Sequence, residues 1–138
     1  MRSLGLLILR VFLGGMMMAH GAQKVFGSFE GPGLKAFTET TRKLNLEPAE
    51  ILGPVGAYSE FLGGLSILLG FFTPAGALAV INTMVVAIWK VHFKNGFWAN
   101  KRGYEFNGLI IAASTALLLT GPGKVSVDGV IFGGKKDE

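Results

Sequence analysis

Four long apolar runs constrain this chain more than any other feature. They cover residues 3–22, 51–72, 74–93 and 104–120. A helix needs about 20 apolar residues to cross a hydrocarbon core. In lipid, only helices and closed barrels satisfy every backbone N–H and C=O, and four segments of this length cannot close a barrel. The sequence therefore predicts an all-α membrane protein, a four-helix transmembrane bundle with a long loop between helices 1 and 2. A chain of 138 residues has room for one domain, 1–138. Charged residues make up only 16%, against about 25% in soluble domains. The 21 glycines suit helices that approach closely in lipid.

The first run also carries marks of a signal peptide: Arg2, an apolar stretch, then Ala19-His20-Gly21 as a small-x-small site. Arg10 interrupts that stretch, which is already long, so an uncleaved span is the expectation. The connection from Gln23 to Glu50 is broken at Gly31-Pro32-Gly33. Within it, Lys35 to Leu46 reads as an amphipathic surface helix with Phe37 and Leu44 or Leu46 toward the membrane. A solvated linker is the equal alternative. Spans two and three are joined only around Thr73-Pro74, which makes them antiparallel neighbours. Gly63, Gly64, Gly70 and Gly76 are expected at close-packing positions. Beyond Gly121-Pro122, Ser126 and Asp128 are expected to tie the following segment down through turn hydrogen bonds. The final GGKKDE reads as a mobile tail.

The two ends share one side of the bilayer, with Arg2, Lys124, Lys135 and Lys136. The long loops share the other, with Lys24, Lys35, Arg42, Lys43, Lys90, Lys94, Lys101 and Arg102. That excess places the loops in the cytoplasm, although leaving out Lys24, Lys90 and Lys94 brings the two sides nearly level. The expected location is a bacterial inner (plasma) membrane, crossed several times.

Ionisable residues inside a span cost roughly 3 kcal/mol and are functional hypotheses by default. Arg10, Glu60 and Asn82 are such polar positions. From the helix rise, Arg10 and Glu60 differ in depth by about 6 Å, so they are expected to pair. The pair either fixes helix register or lines a proton or ligand path. A second cluster gathers at the loop-side surface. His20, Gln23 and Lys24 end the first span, His92 and Asn95 end the third, and Tyr104 and Glu105 begin the fourth. Alternation of the spans brings all of these to one leaflet. His20 and Lys24 share a helix face at i,i+4.

Three readings of that cluster compete. One is a metal site of His20, His92, Glu105 and Glu60, although no HxxxH or ExxH spacing supports it. Another is a pocket for a ring with two carbonyl oxygens, such as a quinone headgroup. There His and Lys donate, Glu105 relays protons, and Phe93, Phe97, Trp98 and Tyr104 form walls. The last is an interfacial belt of Trp89, Trp98 and Tyr104 with snorkelling lysines. Bis-histidine haem between His20 and His92 would leave the ring plane half in water. The chain has no cysteine, and no P-loop, dinucleotide fingerprint, catalytic serine elbow, or haem, flavin or metal motif. The net charge of +4 comes from scattered residues without a basic stripe, so nucleic acid is not an expected partner.

The residues resemble the DoxX/DoxD-like family of small four-helix membrane proteins. The resemblance is carried by Arg10 with AHGAQKVFG (19–27), SEFLGGLSILLGFFTP (59–74), VHFKNGFWANKRGYEFN (91–107) and TGPGKVSVD (120–128). It implies a four-helix bundle associated with membrane oxidoreductases, the family being named for a subunit of a thiosulfate:quinone oxidoreductase. On the family's pattern the positions carried over are Arg10, His20, Gln23, Lys24, Glu60, His92, Asn95, Gly96, Tyr104 and Glu105. Lys101-Arg102 departs from the small or polar residues expected there.

The combined expectation is a membrane subunit that binds quinone. His20, His92 and Glu105 act on it, Lys24, Gln23, Asn95 and Tyr104 bind it, and Arg10, Glu60 and Asn82 serve structure or a proton path. Expected partners are the lipid bilayer, a redox protein or larger membrane complex, and a second copy of the chain. The alternatives are a non-catalytic accessory or assembly subunit, and a small-solute or proton transporter built on Arg10 and Glu60.

Overall fold

The computed structural model describes residues 1–132, so the expected tail at 133–138 lies outside the described residues. The described residues form six α-helices and no strand: α1 (Arg2–Val25), α2 (Gly33–Lys43), α3 (Ala49–Leu69), α4 (Thr73–Ala87), α5 (Glu105–Thr120) and α6 (Val127–Ile131). The chain continues from α4 through a π-helical turn at Ile88–His92 and a 3-10 turn at Phe93–Asn95.

Three helical segments are long and apolar enough to cross a membrane: Arg2–Val25, Ala49–Leu69 and Thr73–Asn95. The fourth expected span is the apolar helix α5, but its 16 residues reach only about 24 Å at 1.5 Å per residue, short of a core of about 30 Å. The second span was expected to reach residue 72 but stops at Leu69. Gly70 takes the left-handed conformation (φ 68°) that ends the helix. Its N–H and that of Phe71 turn back to the carbonyls of Ile67 and Ser66.

The outward faces are apolar. Phe12 is 75% exposed and Leu119 81%, and Ile8, Leu62, Leu78 and Leu109 are exposed with them. A surface of this kind suits hydrocarbon and not water.

Glycines set the helix spacing. A Cβ at Gly14 would strike the backbone of Leu68, one at Gly64 the backbone of Met18, and one at Gly21 that of Phe61. These close approaches lock α1 against α3, its most extensive partner. Gly63 and Gly76 bring α3 and α4 together in the same way, as expected of close-packing positions. Further in, α5 packs on α4 and touches α1. Met17, Ile67, Val80, Met84, Ile110 and Leu117 fill the centre.

The connection after α1 is more structured than a loop. The helix α2 lies within it, two residues earlier than expected at its start and three earlier at its end. It folds back on α3, with Thr38 against Gly53 and Arg42 bonded to Glu39 and Glu50. Phe37 packs on neighbouring helices. Its ring lies beside Gly56 and 5.0 Å from Lys24 Nζ.

Arg10 and Glu60 do not pair. Arg10 is 2% exposed. It donates to the carbonyls of Ile67 (3.0 Å), Leu68 (3.0 Å), Pro122 (3.0 Å) and Val125 (2.7 Å). Ile67 and Leu68 lie two turns beyond Glu60, about 11 Å along the helix. The glycine contacts impose this register: with Gly21 against Phe61, the turn of α1 that comes near Glu60 is the one holding Lys24, not Arg10. Asp128 completes the joint from the other side. Its carboxylate accepts from the N–H groups of Phe72 (2.9 Å) and Thr73 (3.0 Å), capping the start of α4. Its own N–H bonds the Gly70 carbonyl. Ser126 in turn accepts from Gly129 N and donates to the Gly123 carbonyl. The expected tethering by Ser126 and Asp128 is thus formed, and Asp128 does more than close a turn.

Candidate functional site

At the opposite end of the helices, His20 and Lys24 sit one turn apart near the end of α1. Lys24 Nζ lies 2.5 Å from Glu60 Oε2. Glu60 is 4% exposed, and its other oxygen, Oε1, has no hydrogen-bond partner among the described residues. A buried carboxylate oxygen without a partner carries a desolvation cost, and such groups in native structures call for an explanation.

His92 reaches the same place from the end of α4. The wider π-turn of residues 88–92 carries it, and single π-turns inside helices recur at functional sites. Its Nδ1 lies 2.8 Å from the Arg102 carbonyl. A carbonyl only accepts, so Nδ1 carries the proton, and Nε2 is left to act as acceptor or acid.

The hairpin from 93 to 104 holds this arrangement through its own bonds. Tyr104 N–H donates to Gly96 O (3.0 Å) and Glu105 N–H to Phe97 O (2.9 Å). Asn95 Nδ2 donates to the same Arg102 carbonyl at 3.0 Å. Glu105 Oε1 accepts from Ala99 N–H at 2.8 Å. The Tyr104 ring stacks on Phe93 and meets Phe97 edge-on.

A cavity of about 400 Å³ lies between these elements. His20, Lys24, Glu60, His92, Arg102 and Asn107 give it polar character, and Met17, Met84, Phe106 and Ile110 give it apolar walls. The His20 ring packs 6.3 Å from Phe106. It makes no hydrogen bond among the described residues, so its nitrogens are available. Asn107 is buried, with Nδ2 near only the Met84 sulfur at 3.5 Å, a weak acceptor.

The structure therefore brings together four of the residues singled out in the sequence: His20, Lys24, His92 and Glu60. The first three were expected together, whereas Glu60 was expected beside the histidines only in the metal reading and otherwise with Arg10. Glu105, Gln23, Asn95 and Tyr104 do not line this cavity. Glu105 and Asn95 hold the hairpin, Tyr104 packs within it, and Gln23 reaches the Phe29 carbonyl at 3.4 Å. Asn82 lines a neighbouring cavity that also borders Lys24, Glu60 and His92. Arg10 lies at the far end. The sequence reading missed Asn107 and Arg102. An amide inside an apolar run was the available signal for Asn107. Arg102 was counted as surface charge and as a departure from the family's pattern. Among the described residues, no three of His, Asp and Glu come together as a metal-binding group.

These features define an all-helical membrane protein with a polar chamber near one end of its helices. The chain belongs to the DoxX family, whose sequence profile matches residues 5–93, the stretch that holds His20, Lys24, Glu60 and His92. It is similar to "Putative oxidoreductase CatD" of Bacillus subtilis (strain 168), with 29% identity over 98% of this chain and 92% of that protein. An "Uncharacterized protein" of Haemophilus influenzae is 28% identical over 94% of this chain and 84% of its own length. No solved structure matches.

Proposed function

We propose that this protein is a membrane component of redox chemistry that binds a quinone headgroup in the chamber of His20, Lys24, Glu60 and His92. The observation that carries the reading is the convergence of those four side chains, from three helical segments, on one cavity of about 400 Å³. Membership of the DoxX family and similarity to a protein named as an oxidoreductase support the redox assignment.

The residues fit such a ring. A quinone offers two acceptor oxygens on an apolar plane. Lys24 Nζ, His92 Nε2 when protonated, and Asn107 Nδ2 are donors around the chamber, while Met17, Met84 and Ile110 supply apolar walls. The volume lies within the roughly 300–1,000 Å³ typical of small-molecule sites. When bound, a quinone supplies the electron-accepting chemistry, taking two electrons and two protons to become a quinol. The electrons come from a partner redox protein.

The chain's own work is binding and proton handling. Lys24 would hold one carbonyl oxygen through an ammonium N–H, and Glu60, 2.5 Å from its Nζ, orients that ammonium group. His92 acts on the other oxygen through Nε2, oriented by its Nδ1–H bond to Arg102. Sealing these groups among methionines and helix backbone strengthens each interaction relative to water.

Titration of purified protein with a tail-less benzoquinone tests the proposal. Wild type binds; His92→Ala and Glu60→Gln bind about tenfold more weakly or worse, the cost of one charge-assisted hydrogen bond. Glu105→Gln stays near wild type, because the amide oxygen still accepts from Ala99 N–H. Thermal unfolding of each variant separates a damaged site from a damaged fold. Absence of binding, or equal affinity in all four proteins, would overturn the assignment.

A further inference from the structure

The end of the helices that carries the Arg10 joint holds a cavity of its own, of about 450 Å³. It lies where α5 stops at Thr120 and residues 121–124 cross to the first turn of α1. A Cβ on Gly123 would meet Ser3 and Leu6 there, and Lys124 N–H donates to Ser3 Oγ at 3.3 Å. Two cations line the cavity, Arg2 from α1 and Lys124 from the crossing segment. Both are exposed, and neither side chain has a hydrogen-bond or ion-pair partner among the described residues. Asp128 is the one carboxylate among the described lining residues, and its two oxygens already accept from the Phe72 and Thr73 N–H groups. Gly123, in the left-handed region at φ 88°, leaves its N–H without a hydrogen bond among the described residues.

Position decides what those charges meet. The apolar outer faces of the long helices put this end at a bilayer surface. Phe72 and Phe132 line the cavity and are exposed, and Val125, Val130 and Ile131 are exposed beside them. Side chains of this kind belong at the boundary between acyl chains and headgroups. Two cations without partners and an apolar rim suit a phosphodiester that carries acyl chains. A small phosphate compound would leave the rim in water, and a zwitterionic lipid brings a cation that Arg2 and Lys124 repel. We infer that this cavity binds the headgroup of an acidic phospholipid, with the phosphate between Arg2 and Lys124 and the acyl chains along Phe72 and Phe132. The bound lipid bridges the start of α1 and the segment after α5. It braces from outside the joint that Arg10 and Asp128 make within.

Native mass spectrometry of the full chain in a neutral detergent tests this with three probes: a phosphatidylglycerol, a phosphatidylcholine with the same acyl chains, and glycerol 3-phosphate. Wild type is expected to bind phosphatidylglycerol about tenfold more tightly than either of the others, the effect of two basic side chains beside an acidic lipid. Arg2→Gln and Lys124→Gln should each lose about fivefold of that affinity, whereas Lys124→Arg keeps it. Neither native side chain holds a partner, so the variants keep the fold. Lys35→Gln removes an exposed charge from α2, at the opposite end, and should lose nothing. Equal binding of the two lipids, or an equal loss in Lys35→Gln, would overturn the inference and leave only the diffuse attraction of a basic protein to acidic membranes. Glycerol 3-phosphate bound as tightly as phosphatidylglycerol would overturn it as well, and assign the cavity to a water-soluble phosphate compound.

Discussion

Two buried charged residues, Arg10 and Glu60, show how differently the same cost can be met. Arg10 donates four of its five guanidinium N–H groups to carbonyls. It receives the C-terminal carbonyls of α3, where the helix dipole favours a cation, and binds the segment after α5 to them. Glu60 has one oxygen on Lys24 and, among the described residues, no hydrogen-bond partner for the other. The first pattern is that of a structural joint and the second that of a site. Replacing Arg10 by Met should strand several buried carbonyls at about 1–3 kcal/mol each, and the detergent-solubilised protein should unfold at a markedly lower temperature. Asp128→Ala removes the cap of α4 and should cost about 1 kcal/mol. Thermal melts followed by circular dichroism measure both. Equal stability of Arg10→Met and wild type would contradict the joint.

At the scale of helices, the close approaches along α1 make a sharp prediction. Gly14 and Gly15 are adjacent, yet a Cβ on Gly14 strikes Leu68 backbone while one on Gly15 meets nothing within 4 Å. Gly14→Leu should therefore pry α1 from α3 and lower yield and melting temperature, whereas Gly15→Leu should be tolerated. Similar behaviour of the two variants would mean that the register of α1 on α3 is different. Much of this level was legible beforehand. Length and hydropathy locate four apolar helices, and the shortness of the connection at Thr73 pairs α3 with α4. Gly63, Gly64 and Gly76 mark packed faces of α3 and α4. The register of α1 against α3 was not legible, because apolar runs fix a helix's extent and not its axial offset. A shift of two turns decided whether Glu60 met Arg10 or Lys24. The same limit applies at the hairpin. Sequence placed Glu105, Asn95 and Tyr104 at the right level, but whether a side chain at that level points into a cavity or back to its own loop depends on backbone turns. Arg102, in the left-handed region at φ 61°, is one that composition does not reveal.

For the molecule as a whole, the two ends of the helix assembly divide the labour. One end is a closed joint in which Arg10, Ser126 and Asp128 tie the polypeptide after α5 to the turn between α3 and α4. The other end holds two adjoining chambers separated by the Lys24–Glu60 pair and covered by α2 and the 93–104 hairpin. Rigidity at the first end holds α1 and α3 in the register that places Lys24 on Glu60 at the second. The glycine contacts between them carry that constraint along the bundle. Photolabelling puts the central claim to its most direct test. The purified protein is irradiated with an azido-benzoquinone in the presence and absence of excess unlabelled quinone, and the modified residues are mapped by mass spectrometry. The account predicts labels on segments carrying His20–Lys24, Glu60 and His92, suppressed by the competitor. Labelling at the Arg10–Asp128 end instead, or labelling that the competitor leaves unchanged, would contradict it.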